Sequence, residues 1–182
     1  MNQISVVKNT AFIALLAAVL CILAPLSVPT SAIPVSLASF AIYIIASCVK
    51  TKYSVIAVTV YILLGAFGLP VFSAFTGGFH RIAGITGGYI IGYIPCAFII
   101  GLLVNKYENK KFVFPLSMVS GTVLCYFTGT LWYILQTKAS VTAAIFSCVI
   151  PFIIGDIIKI AVASILSIPL RKRLKIFFIG KD

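Results

Sequence analysis

Acidic side chains are nearly missing from this chain. Across 182 residues there are three, Glu108, Asp156 and Asp182, against fourteen lysines and arginines, and there is a single histidine, His80. No carboxylate pair, metal-ligand cluster or Ser/His/Asp set can be assembled from so few groups, so neither an enzyme nor a metal or cofactor site is expected. A Walker motif is also missing, and any ATP-driven work must be done by another subunit. The five cysteines, Cys21, Cys48, Cys96, Cys125 and Cys148, have no CxxC spacing and lie inside apolar segments. There a free cysteine behaves as a small hydrophobe.

Hydrophobic residues make up 62% of the chain, charged ones 9%, and the mean hydropathy is +1.19. A soluble domain could not cover itself with so little polar surface. No charge falls between Lys8 and Lys50, Lys52 and Arg81, Arg81 and Lys106, or Lys111 and Lys138. Each gap is long enough to cross a bilayer, which takes about 20 helical residues. The net charge of +11 sits at the ends of apolar segments, as topology signals do, and does not point to nucleic acid.

Six apolar segments follow, roughly 10–28, 34–49, 53–69, 87–105, 112–135 and 141–169. Pro29 and Pro34 separate the first two by a turn or re-entrant connection. With the N-terminus inside, the positive-inside rule puts Lys8, Lys50, Lys52, Lys106, Lys110, Lys111, Arg171, Lys172, Arg173, Lys175 and Lys181 on the cytoplasmic side. An odd helix count would not keep both Lys8 and the basic C-terminal run there. Reading residues 1–32 as a cleaved signal peptide leaves five helices and an outside N-terminus, and is not preferred. The expected fold is an all-α integral membrane protein, multi-pass in the cytoplasmic membrane and one domain over 1–182. It has six transmembrane helices, cytoplasmic N- and C-termini, and a Gly-rich outer loop between helices 3 and 4.

Eight of the thirteen glycines fall within residues 65–92. Such density means backbone that turns tightly or is approached closely. Gly84, Gly88 and Gly92 are expected on one face of helix 4, and small residues recur at Gly121, Cys125 and Gly129 and at Ala14 and Ala18, each set allowing close helix contact within the chain or with a partner.

Two charges interrupt the most apolar part of the last segment. Asp156 and Lys159 are three residues apart, hence on nearly one side of a helix, and buried ions in a membrane are paired or put to use. A carboxylate acceptor beside an ammonium donor suits either a structural salt bridge or a polar ring with N–H and C=O edges. Arg81, on the outer loop, can receive an anionic substrate group or meet lipid headgroups; neighbouring His80 reads as solvated. Tyr89 and Tyr93, one turn apart, can wall a pocket with Phe72, Phe75 and Trp132.

Taken together, "GLPVFSAFTGG" (68–78), "GITGGYIIGYIP" (84–95) and "PFIIGDIIKI" (151–160) resemble the BioY family, the biotin-binding S-components of energy-coupling-factor transporters. The resemblance extends over most of the chain. It implies capture of biotin at the outer side and delivery inward with a transmembrane T-component and two ABC-type ATPases, or at low rate without them. It also implies Asp156, Lys159 and Thr76 as substrate contacts, and Ala14 and Ala18 as the AxxxA motif that docks on the T-component. Two positions depart from the family pattern: Ile85 stands where members have proline, and Ala38 where they have glutamine. The rival readings are an S-component for another vitamin, a stand-alone proton-coupled transporter with Asp156 as carrier, and a non-transporting scaffold.

Overall fold

The computed structural model describes residues 3–28, 34–107 and 110–174. Pro29, Glu108, Lys175, Lys181 and Asp182 lie outside the described residues. Eight helices and a two-stranded hairpin follow in the order α1 (Gln3–Leu23), β1 (Ser27–Val28), β2 (Val35–Ser36), α2 (Ala38–Cys48), α3 (Thr51–Ala66), a 3-10 turn (Ser73–Phe75), α4 (Phe79–Ala83), α5 (Gly87–Lys106), α6 (Val113–Thr137), α7 (Val141–Cys148) and α8 (Ile150–Leu174).

Four helices, α1, α5, α6 and α8, are long and apolar enough to cross a membrane; α2 and α3 are apolar but shorter. At about 1.5 Å per residue, the 11 residues of α2 reach roughly half of a hydrocarbon core of about 30 Å. The segment expected to be one helix from 34 to 49 thus begins as strand β2, which pairs antiparallel with β1 across the proline-marked break. The segment expected from 141 to 169 is also divided. Val149 leaves helical geometry at φ −122° and ψ −57°, two residues before Pro151, which has no N–H to continue the hydrogen-bond ladder of α7.

Of the four long helices α5 is the most buried, with 56% of its apolar window buried against 22% in α1 and α8. It packs on α2, α3 and α6. The seam with α6 is built from small residues. A Cβ at Gly88 would meet the Trp132 side chain and the Thr128 carbonyl, one at Gly92 the Thr128 hydroxyl, one at Gly121 the Ile100 side chain and one at Gly129 the Tyr89 ring. The glycine faces therefore serve contact within the chain. Gly84 is not part of that face, because α5 starts at Gly87.

The outward surfaces of α6 and α8 carry Val123, Phe127, Ile154, Ile157 and Ile158, all exposed. Large apolar side chains on the outside and a packed interior are what a lipid solvent selects, and the chain is a multi-pass membrane protein. Helices α2 and α8 run side by side in one direction. Ser39 meets Lys159 near their beginnings, and the Ser47 carbonyl meets Arg171 near their ends.

Candidate functional site

A cavity of about 830 Å3, its open mouth included, lies between the β1–β2 hairpin, the 3-10 turn and the pocket-side halves of α2, α3, α5, α6 and α8. Asp156, Lys159, Thr76, Tyr89 and Arg81 all line it. Ala14 and Ala18 do not; they are exposed on α1.

At one wall the Lys159 ammonium donates to Asp156 Oδ1 at 3.1 Å, to the Ser36 carbonyl at 2.8 Å and to Ser39 Oγ at 3.1 Å. The second carboxylate oxygen, Oδ2, accepts from the Tyr126 hydroxyl at 2.5 Å. Asp156 is 7% exposed, which makes pairing obligatory: an uncompensated ion in that place costs several kcal/mol. The helical spacing of three residues brings the two charges together, while α2, the hairpin and α6 supply the remaining partners.

Tyrosines and phenylalanines form much of the wall, among them Tyr43, Tyr61, Phe72, Tyr93 and Phe152. Tyr89 stacks near Phe152 with ring centroids 6.5 Å apart and donates to the Cys148 carbonyl at 2.9 Å. That bond ties α5 to the α7–α8 junction. Phe75 and Trp132, expected beside Tyr89 and Tyr93, are placed otherwise. Phe75 is exposed, and Trp132 donates its indole N–H to the Gly84 carbonyl at 2.9 Å, outside the cavity lining.

The glycine-rich segment closes the site at the 3-10 turn. Phe72 and Thr76 exchange backbone hydrogen bonds at 2.8 and 3.3 Å, and Ala74 N donates to the Pro25 carbonyl and to Ser27 Oγ, so the turn is fastened to β1. Ala74 and Phe75 take φ of 58° and 54°, a region that costs a non-glycine residue about 1 kcal/mol or more. Gly78 opens the turn into α4 at φ 100°. His80 and Arg81 are thus on a short helix rather than in open loop. The Arg81 Nε is buried without an acceptor among the described residues, on a side chain that lines the cavity. The Thr76 hydroxyl donates to the Ser73 carbonyl at 2.9 Å.

Several lining residues were not singled out from the sequence: Ser36, Ser39, Tyr43, Thr122 and Tyr126. A signal existed for the last two, since Thr122 and Tyr126 are four apart on the helix face that also carries Gly129. Ala38, between the lining residues Ser36 and Ser39, is itself buried at 2% exposure. Ile85 is exposed in the turn before α5. Among the described residues no group of His, Cys, Asp or Glu could hold a metal ion.

Comparison with known proteins places this geometry. The sequence model of the BioY family matches residues 1–176. A protein of Thermotoga maritima named biotin transporter BioY is 35% identical over 150 residues, covering 81% of this chain and 86% of that one. One of Pyrococcus horikoshii, named probable biotin transporter BioY, is 33% identical over 160 residues, covering 88% and 94%. The crystal structure of the S-component for biotin from an ECF-type ABC transporter superposes with a TM-score of 0.85 at 26% identity, covering 94% of this chain and 95% of that one. These relatives are transporters or transporter components by name, not enzymes. With the family model spanning nearly the whole chain and the fold shared from end to end, the protein belongs to the BioY family.

Proposed function

We propose that this protein captures biotin with high affinity at the outer face of the cell membrane and passes it inward as the S-component of an energy-coupling-factor transporter. A transmembrane T-component and two ABC-type ATPases energise it. The observation that carries the reading is the Asp156–Lys159 pair facing an aromatic-walled cavity. Biotin's fused rings are apolar except for a ureido group with two N–H donors and one carbonyl. A carboxylate offers about four lone-pair sites, and Asp156 accepts from Lys159 and Tyr126, leaving room for one ureido N–H. Arg81, with its unspent buried N–H, suits the carboxylate at the far end of biotin's chain. Thr76 and Tyr89 shape the wall between.

Six crossings with both termini in the cytoplasm agree with the parallel run of α2 and α8 and with the basic residues at the end away from the cavity. In this arrangement α2 and the hairpin together complete one crossing. Ala14 and Ala18, exposed on α1, dock the T-component through a small-residue face. Asp156, fixed by an ammonium and a phenol, has the surroundings of a binding group and not of a carrier that exchanges its proton each cycle.

The test is uptake of labelled biotin by cells expressing this chain with and without its T-component and ATPases. Uptake is expected to rise strongly with the full set and to fall when the ATPases are inactivated. Uptake indifferent to the ATPases but abolished by collapsing the proton gradient would contradict the proposal. Competition by other vitamins at equal concentration, without competition by unlabelled biotin, would assign the site to another ligand.

A further inference from the structure

Counting hydrogen bonds at the charged pair separates two tasks that the sequence assigns to one residue. An ammonium has three N–H groups and no acceptor. Lys159 uses all three, on the Ser36 carbonyl, Ser39 Oγ and Asp156 Oδ1. A ligand carbonyl therefore finds no N–H on Lys159 unless one of these bonds breaks. Breaking the first or third strips a buried carbonyl or carboxylate of a charge-assisted donor, which costs more than a neutral bond returns.

Ser39 is differently placed. It lines the cavity, its oxygen accepts from Lys159, and its own proton has no acceptor among the described residues. Three hydroxyls around the pair are committed. Tyr126 donates to Asp156. Thr122 donates to the Met118 carbonyl at 2.8 Å, so in the 2.6 Å contact between Tyr43 and Thr122 the phenol must be the donor. An ammonium bonded to a hydroxyl oxygen also polarises its O–H, and hydrogen bonds in such a chain strengthen one another.

We infer that Ser39 is the ligand-contacting donor to the carbonyl of a cyclic urea, and that Lys159 is a positioning residue, acting through Ser39 and Asp156. The inference rests on the reading of the cavity as a biotin site. Asp156 takes one ureido N–H, Ser39 the ureido oxygen beside it, and Lys159 stays bonded to both throughout.

The test is a cycle of proteins and ligands. The parent, Ser39→Ala and Ser39→Thr are titrated calorimetrically with biotin and with thiobiotin, whose ureido oxygen is replaced by sulfur, a weaker acceptor. Ser39→Ala is expected to bind biotin about ten- to a hundredfold more weakly than the parent. The parent should prefer biotin over the thione by about tenfold, Ser39→Ala by less than about threefold, and Ser39→Thr should restore both values. Alanine and threonine are both accommodated at the start of a helix, and a residue that merely held Lys159 would leave the oxygen-over-sulfur preference intact. Parental affinity in Ser39→Ala, an intact preference in that variant, or failure of Ser39→Thr to restore binding each overturns the inference. A folded parent that binds no biotin is a separate failure, which overturns the functional reading and this inference with it.

Discussion

Helix α8 buries charge at both ends, and the two ends differ in what lies in front of the charge. Asp156 and Lys159 face a cavity, with lone pairs on the carboxylate left over. Twelve residues further on, Arg171 is 5% exposed and faces protein: it donates to the Ser47 carbonyl at 2.7 Å and to Asn105 Oδ1 at 2.6 Å. Asn105 in turn donates to Thr51 Oγ1 at 2.9 Å. Arg171 thereby joins α2, α3, α5 and α8 at the α2–α3 junction, away from the cavity lining. A buried charge is evidence of function when open space and unused hydrogen-bonding capacity adjoin it, and evidence of a structural junction when protein groups fill its surroundings.

The comparison breaks if the two ends respond alike to substitution. Arg171→Leu is expected to have the largest effect on stability, about 2–4 kcal/mol, because it leaves the Ser47 carbonyl and Asn105 without their donor. Thermal unfolding in detergent reads that loss, and the protein that remains folded should bind biotin within about threefold of the parent. At the α5–α6 seam, Gly92→Ala places a methyl against Thr128 and Cys125; it should cost about 1–3 kcal/mol by the same melting assay. Tyr126→Phe should behave in the opposite way to Arg171→Leu. Its melting temperature should barely move, while biotin affinity falls about five- to tenfold as Asp156 loses a hydrogen bond that orients it. A large drop in melting temperature with unchanged affinity would place Tyr126 with the structural end.

How much of this was legible beforehand depended on whether the deciding contact was local. Asp156 and Lys159 were readable because a spacing of three residues fixes their proximity on any helix. The seam of glycines was readable as a place of close approach, but its partner was not, since periodicity says that a face is small and not what it meets. By sequence alone Arg171 reads with Lys172 and Arg173 as a topology signal. Its burial depends on Asn105 and on the α2–α3 junction, separated from it by more than 60 residues. Ser36 and Ser39 carry no pattern of their own, and their part in the site follows from α2 running beside α8. The break at Val149 and the hairpin at 27–36 divided segments that hydropathy joined, because apolar composition is shared by helix, strand and junction alike within a membrane.

The most direct test of the central claim, that the pocket end of α8 is built for a ligand, is calorimetric titration of biotin into detergent-purified, folded parent and Asp156→Asn. Saturable binding by the parent is expected, with a loss of about a hundredfold or more in Asp156→Asn, where charge-assisted acceptance of a ureido N–H is gone. Equal binding by both proteins, or no binding by a folded parent, would contradict it and leave the pair as a second structural junction.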